Sequence, residues 1–203
     1  EIYQCDWSSD VCSSDLPLCA APCGVDAATF EIRRMTGVPA VFLDRDGVLI
    51  EDSGYPHLPE HLRLIPGASA AVRRLNRLGY LAVIVTNQSG VARGLFSEDQ
   101  MHAFNGLLTR RLAQDGAVIH AVYACPFHAD AQDERYRHPD HPDRKPNPGM
   151  LLRAIADHQI DPARSFMIGD QQTDMAAARA AGVSGFLFEG GDLDVFVKEL
   201  LGG

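Results

Sequence analysis

The sequence predicts an α/β fold, a doubly wound parallel sheet of the Rossmann-like type without a separate cap domain. Three observations carry that expectation. From residue 38 onward, short runs rich in β-branched and aromatic residues alternate with amphipathic stretches, the pattern of strands joined by crossover helices. Polar segments bearing carboxylates and glycines follow directly after the apolar runs, where sheets of this kind bind ligands. The intervals between those segments are short: 39 residues separate Asp46 from Thr86 and 55 separate Ser89 from Lys145, and predicted helices and strands use most of both.

Composition narrows the class. With 203 residues, 46% hydrophobic and 22% charged, the chain can bury a real core, and residues 35–203 are read as one domain. The net charge of -9 has the wrong sign for a protein that holds a nucleic-acid backbone or an anionic membrane, so neither is expected as a partner. No stretch approaches the roughly 18 apolar residues of a membrane span. Four of the five cysteines (Cys5, Cys12, Cys19, Cys23) crowd the front of the chain, which is not the even spacing of a disulfide framework. That front lacks the basic and apolar regions of a signal peptide, and the localisation expected is cytoplasmic. Asp6 to Leu16, DWSSDVCSSDL, resembles the translation of a sequencing-adapter oligonucleotide. Residues 1–34 are therefore read as a non-native or disordered segment, with Met35 as a plausible start.

The elements follow in order. Strands are expected at 38–43 (VPAVFL), 80–85 (YLAVIV), 120–125 (HAVYAC), 165–168 (SFMI) and 184–188 (SGFLF), each with the length and composition of a buried strand. A first helix is marked by Ala68, Ala71, Val72, Leu75 and Leu78 on one face and by Gly79 at the C-terminal cap. A second begins at Ser97, with Gln100 as capping-box partner, and carries Met101, Phe104 and Leu108 on one side. A third runs over 148–158 and a fourth, Ala-rich, over 172–181.

The chemistry-bearing residues sit at the ends of these strands. After the first come Asp44-Arg45-Asp46-Gly47: residues two apart on an extended chain share a side, so both carboxylates are expected to face a site while Arg45 points away. Gly47 permits a sharp turn. Two carboxylates so close repel each other unless a cation or shared proton intervenes, which suggests a divalent metal with oxygen ligands; taken alone, the pair also reads as a solvated turn. The second strand ends in Thr86-Asn87-Gln88-Ser89-Gly90, suited to presenting donors to phosphoryl oxygens, and the fourth in Gly169-Asp170. Arg144-Lys145 places two cations before a helix in an otherwise acidic chain. Four such segments at one edge of a sheet mark a candidate site.

FLDRDGVL, TNQSG, RKPNPGM and IGDQQTD, in that order, resemble the four motifs of the haloacid dehalogenase superfamily of phosphohydrolases, over about residues 40–188. Within it the strings are similar to the branch of heptose bisphosphate and histidinol phosphatases, and the longer ones favour the heptose enzymes. The resemblance implies a phosphomonoesterase acting on a small phosphorylated sugar; a monomer is expected. Asp44 would be the nucleophile that forms an aspartyl-phosphate, and Asp46 the acid and then the base. Thr86 and Lys145 would hold the phosphoryl oxygens. Mg²⁺ would be bound by Asp44, the backbone carbonyl of Asp46 and Asp170. Asp52, Ser53, Gly54, Tyr55, Asn87, Gln88, Ser89, Arg93 and Arg144 are candidates for contacts to the sugar or a second phosphate, with Arg93 equally readable as a surface residue. Asp174 reads as support behind the metal or as helix N-terminal charge. A catalytically inactive phosphosugar-binding module is the alternative from another class, and the intact Asp44 and Asp46 argue against it.

Loops 51–61 and 126–143 would then set access and substrate choice. Zinc-bearing members of the branch have Cys-x-His and Cys-x-Cys before the Arg-Lys pair, whereas Phe127 stands here at the His position and the Cys-x-Cys is missing. Cys125, His128, His138 and His141 have spacings that permit a zinc tetrahedron, but His-Pro repeats in a polar loop also read as solvated turns, and the leaning is to no zinc. Gln171 occupies a position where the heptose enzymes carry Lys.

Overall fold

Strand β1 (Ala40–Leu43) is wholly buried because it has a parallel neighbour on each side and helices above and below. The computed structural model describes residues 37–202; the reading of residues 1–34 falls outside them. Five parallel strands, β1, β2 (Leu81–Asn87), β3 (Ala121–Cys125), β4 (Phe166–Gly169) and β5 (Ser184–Leu187), lie in the order β3-β2-β1-β4-β5. All five strands expected from the sequence are present, with ends shifted by one or two residues. The chain winds outward from β1 to β3 and then returns to place β4 on the other side of β1. The carboxyl ends of β1 and β4 therefore flank the point where the winding reverses, and Leu43 pairs with Ile168 there.

Side chains alternate across the sheet, and this sorts the helices into two layers. Val41, Leu43, Ile84 and Ile168 face one core with Leu75 of α1 (Ala68–Arg77), Leu108 of α3 (Glu98–Gln114) and Val197 of α6 (Leu193–Leu200). Ala40, Phe42, Val85 and Met167 face the other, with Met150 and Ala154 of α4 (Gly149–His158) and Ala177 of α5 (Gln172–Ala180). Burying a side chain such as Leu75 or Leu108 contributes about 2 kcal/mol. The capping box at Ser97 forms as expected: its hydroxyl accepts from the Gln100 N–H at 3.1 Å and the Gln100 side chain returns the bond to the Ser97 N–H at 2.8 Å.

Three features depart from the sequence reading. Leu78, placed on the buried stripe of α1, is 57% exposed, because the helix ends at Arg77 and Gly79 (φ 85°) turns the chain away. The short helix α2 (Ser89–Ala92) is one turn, too brief to show periodicity. Helix α6 was not expected; its signal is Asp192, whose side chain caps Asp194 and Val195 N–H just before the apolar residues Leu193 and Val197. Among the described residues no helix is long and apolar enough to cross a membrane. The segments between β1 and α1 and between β3 and α4 contain only loops and single 3-10 turns (Pro59–His61, Glu134–Tyr136), so no cap domain is inserted there.

Candidate active site

Asp44 follows the last residue of β1, and its backbone N–H bonds to Ile168 O of β4 at 3.0 Å, which ties it to the winding reversal. Its Oδ1 accepts from the Arg45 N–H at 2.7 Å and faces Lys145 Nζ at 2.9 Å, which fixes the plane of the carboxylate. Lys145 is buried; its Nζ donates to Val85 O at 2.9 Å and forms ion pairs with Asp44 Oδ1 at 2.9 Å and Asp174 Oδ1 at 2.7 Å. Burial opposes its charge, but Asp44 and Asp174 overcome that and hold its pKa above the ordinary lysine value. Asn87 clamps the backbone that presents this lysine, donating to Lys145 O and accepting from Lys145 N, both at 3.0 Å.

Asp170 stands across the reversal from Asp44. Asp44, Asp170 and Asp174 bring one carboxylate oxygen each within 4.8 Å of one another, and among the described residues no other His, Cys, Asp or Glu set does so. Burial raises the pKa of Asp170, Gln171 pulls it down, and the Asp44 charge raises it further. Burial and the Asp44 charge likewise raise that of Asp174. Asp170 Oδ1 is buried with no hydrogen-bond partner. An orphaned oxygen among mutually repelling carboxylates is what a bound divalent cation satisfies, so these residues fit a hard metal with oxygen ligands. Asp174 is less available to it: one oxygen serves Lys145, and the other accepts the Gln171 N–H at 3.0 Å as the capping box of α5. Gly47 is required where it stands, since it has φ 82° and a Cβ there would lie 2.3 Å from Asp170 Oδ2.

Asp46 faces the same cavity. Burial raises its pKa, Arg45 lowers it, and the Asp44 charge adds to the rise. Arg45 departs from the sequence reading. It does not point away; it is completely buried and its guanidinium turns back on Asp46, with Nε on Oδ1 at 2.8 Å and Nη2 on Oδ2 at 3.0 Å. The two-residue alternation stops with β1 at Leu43, so the rule no longer governs the turn that follows. Gln88 completes the contact, donating to Asp46 Oδ2 at 3.1 Å and to Thr86 Oγ1 at 2.8 Å.

Asp44, Asp46, Asp52, Gly54, Tyr55, Thr86, Asn87, Gln88, Lys145 and Asp170 all line one cavity of about 360 Å³. Gln171, Thr173 and Asp174 complete its wall; Thr173 carried no sequence signal. Ser53, Ser89, Arg93 and Arg144 do not line it. Asp52 accepts the Gly54 N–H at 2.9 Å and shapes the turn that presents Tyr55 at φ 57°. Arg93 lies near Arg144: burial, and with it the Arg93 charge, holds the Arg144 pKa below the ordinary value.

Among the described residues, Cys125, His128, His138 and His141 do not bring three ligand atoms within 4.8 Å of one another. Cys125 Sγ is 4.0 Å from His141 Nδ1, and His128 Nε2 lies 3.3 Å from Arg93 Nη2. Nδ1 of His128, His138 and His141 each accepts a backbone N–H two residues on, from Asp130, Asp140 and Asp143. A zinc-ligating imidazole donates from its second nitrogen, so these three rings are used the opposite way. Phe127 stacks on His141 with ring centroids 3.9 Å apart.

Comparison with known proteins agrees with this geometry. A family model described as HAD-hydrolase-like matches residues 143–195, which hold Lys145, Asp170 and Asp174. The chain is 49% identical over 164 residues to a Rhodopseudomonas palustris protein named D-glycero-beta-D-manno-heptose-1,7-bisphosphate 7-phosphatase, covering 80% of this chain and 90% of that one. A Thermosynechococcus vestitus protein named D-glycero-D-manno-heptose-1,7-bisphosphate 7-phosphatase is 48% identical, over 75% and 80% of the two chains. The D,D-heptose 1,7-bisphosphate phosphatase of B. bronchiseptica, solved with magnesium and phosphate, superposes with a TM-score of 0.69 at 31% identity, covering 80% of this chain and 98% of that one. With its carboxylates and lysine gathered at the reversal between β1 and β4, and with relatives matched over most of their length, the chain belongs to the haloacid dehalogenase-like phosphatases, in the branch of the heptose bisphosphate phosphatases.

Proposed function

We propose that this chain hydrolyses the 7-phosphate of a heptose 1,7-bisphosphate through an aspartyl-phosphate on Asp44. The observation that carries the chemistry is the Asp44–Lys145–Asp174 arrangement beside the orphaned oxygen of Asp170, in one cavity with a carboxyl whose pKa is raised. The relatives' names support the substrate. So do Arg93 and Arg144: two neighbouring guanidinium groups, neither in an ion pair among the described residues, supply charge for a second phosphate.

In this reading Asp44 attacks phosphorus, the bond from phosphorus to the sugar oxygen breaks, and Asp46 gives that oxygen its proton. Asp46 then takes a proton from water, which attacks the same phosphorus; the Asp44–phosphorus bond breaks and inorganic phosphate leaves. Lys145 pairs with Asp44 and offsets charge on the phosphoryl oxygens, with Thr86 donating beside it. Asp44, Asp170 and the Asp46 carbonyl would hold Mg²⁺, which when bound neutralises phosphoryl charge and orients the group. Tyr55, Asp52 and Gly54 would face the sugar.

The test is phosphate release from heptose 1,7-bisphosphate anomers, histidinol phosphate and a 3′-phosphorylated oligonucleotide, with Mg²⁺ present. Asp44→Asn is expected to lose activity by about 10³-fold or more. Near wild-type hydrolysis by that variant would overturn the mechanism. Preference for histidinol phosphate would overturn the substrate.

A further inference from the structure

An acid that must meet a leaving oxygen has to be aimed, and Asp46 sits two residues from a carboxylate that repels it. Behind it lies Arg45, the largest of the completely buried side chains among the described residues. The two bonds from Arg45 to Asp46 form a planar fork, the geometry that fixes a carboxylate in direction as well as distance. The guanidinium is itself held on every side. Nη1 donates to Asn105 Oδ1 at 2.8 Å, Nη2 reaches Pro56 O and Gln88 Oε1 at 3.0 Å each, and the Phe104 ring lies 5.0 Å away. These partners come from α3, from the loop that carries Tyr55, and from the end of β2.

A purely structural role does not account for the arrangement. The 45–50 turn is already closed by backbone bonds, from Leu49 N and Ile50 N to Arg45 O and from Gly47 N to Ile50 O. Nor would a structural arginine need, as its carboxylate, the one that lines the cavity. Through Gln88 the same cluster reaches Thr86, and through Pro56 it reaches the Tyr55 loop.

We propose that Arg45 is a positioning residue for phosphoryl transfer: it aims Asp46 at the leaving-group oxygen and keys the Tyr55 loop to that aim. The inference rests on the phosphatase reading above. It predicts a dependence on the leaving group, because a sugar alkoxide needs a proton to depart and p-nitrophenolate does not.

The experiment compares kcat/KM for the sugar bisphosphate and for p-nitrophenyl phosphate in wild type, Arg45→Met and Arg45→Lys. That ratio reports steps only through the first transfer, so the later role of Asp46 as base does not enter. Arg45→Met is expected to lose on the order of 100-fold on the sugar substrate and under about 5-fold on the aryl one, with Arg45→Lys between it and wild type. Asn105→Ala, which loosens Arg45 from outside the cavity, is expected to give the same selectivity at about 3- to 10-fold, and it serves if Arg45→Met does not fold. Equal losses on both substrates, or no loss on the sugar, would overturn the proposal. A wild-type protein inactive on both would instead overturn the phosphatase reading.

Discussion

Gly47 shows how a single residue can hold a neighbouring carboxylate in its place. Its φ of 82° lies in the left-handed region, and a Cβ would sit 2.3 Å from Asp170 Oδ2 and 2.6 Å from Cγ. Gly47→Ala thus adds backbone strain of about 1–3 kcal/mol and pushes Asp170 off its position. The expected outcome is a loss of that size in urea unfolding together with a rise of about 10-fold in the Mg²⁺ needed for half-maximal activity. An unchanged Mg²⁺ requirement would show that Asp170 does not serve the ion. At this scale the sequence was legible where chemistry demands a residue type: Asp44, Asp46, Thr86 and Asp170 were read from their places after strands and Lys145 from the cation pair before a helix, and all line the cavity. It was illegible where a residue serves another residue. Nothing in Asp-Arg-Asp-Gly says that the arginine turns inward, because its partners Asn105, Gln88 and Pro56 lie 60, 43 and 11 residues away.

Helix packing, at the next scale, depends on an ion-paired cluster as well as on the apolar stripe. Asp194 in the first turn of α6 accepts from Arg74 Nε at 2.8 Å and Nη2 at 3.2 Å, while Lys198 Nζ lies 2.8 Å from Oδ2. The Arg74 and Lys198 contacts overcome partial burial and bring the Asp194 pKa down from 3.8 to about 2. A carboxyl whose folded pKa is depressed adds stability above its unfolded pKa and loses it as pH falls toward the folded value, here between about 4 and 2. With Arg74 and Lys198 side chains 37% and 47% exposed, solvent screening reduces the contribution to about 1 kcal/mol. Asp194→Asn is therefore expected to unfold about 1 kcal/mol more easily at pH 7, with the gap closing as pH is lowered from 4 to 2; a gap independent of pH would refute the ion-pair account. The α1 stripe and the Ser97 box were readable because helical period and capping are local. Helix α6 was not, since its eight residues give barely two turns and its burial depends on α1, more than 100 residues earlier.

At the scale of the molecule, the site exists only because the sheet reverses its winding. Asp44 and Asp170 are 126 residues apart in sequence and become neighbours when β4 returns beside β1. The unfolded chain offers no such pair, so an ion held between them binds the folded state alone and must stabilise it. Without an ion the same carboxylates oppose folding: burial and mutual repulsion raise the pKa of Asp170 and Asp174, and Asp170 Oδ1 is buried without a partner. Two consequences follow for thermal unfolding of protein first stripped with chelator and then dialysed. Mg²⁺ at about 100 times its Kd adds about 2.7 kcal/mol, a rise in Tm of roughly 5–10 °C for a domain of this size. Asp170→Asn removes both the ligand and the repulsion, so its metal-free Tm is expected to equal or exceed that of the wild type while the Mg²⁺ response disappears. Sodium chloride at matched ionic strength separates ion binding from general screening. An equal Mg²⁺ response in wild type and variant would place the ion elsewhere; a metal-free variant less stable than wild type would mean that Asp170 contributes to the fold as a hydrogen-bonding group and not as a ligand held ready for a cation.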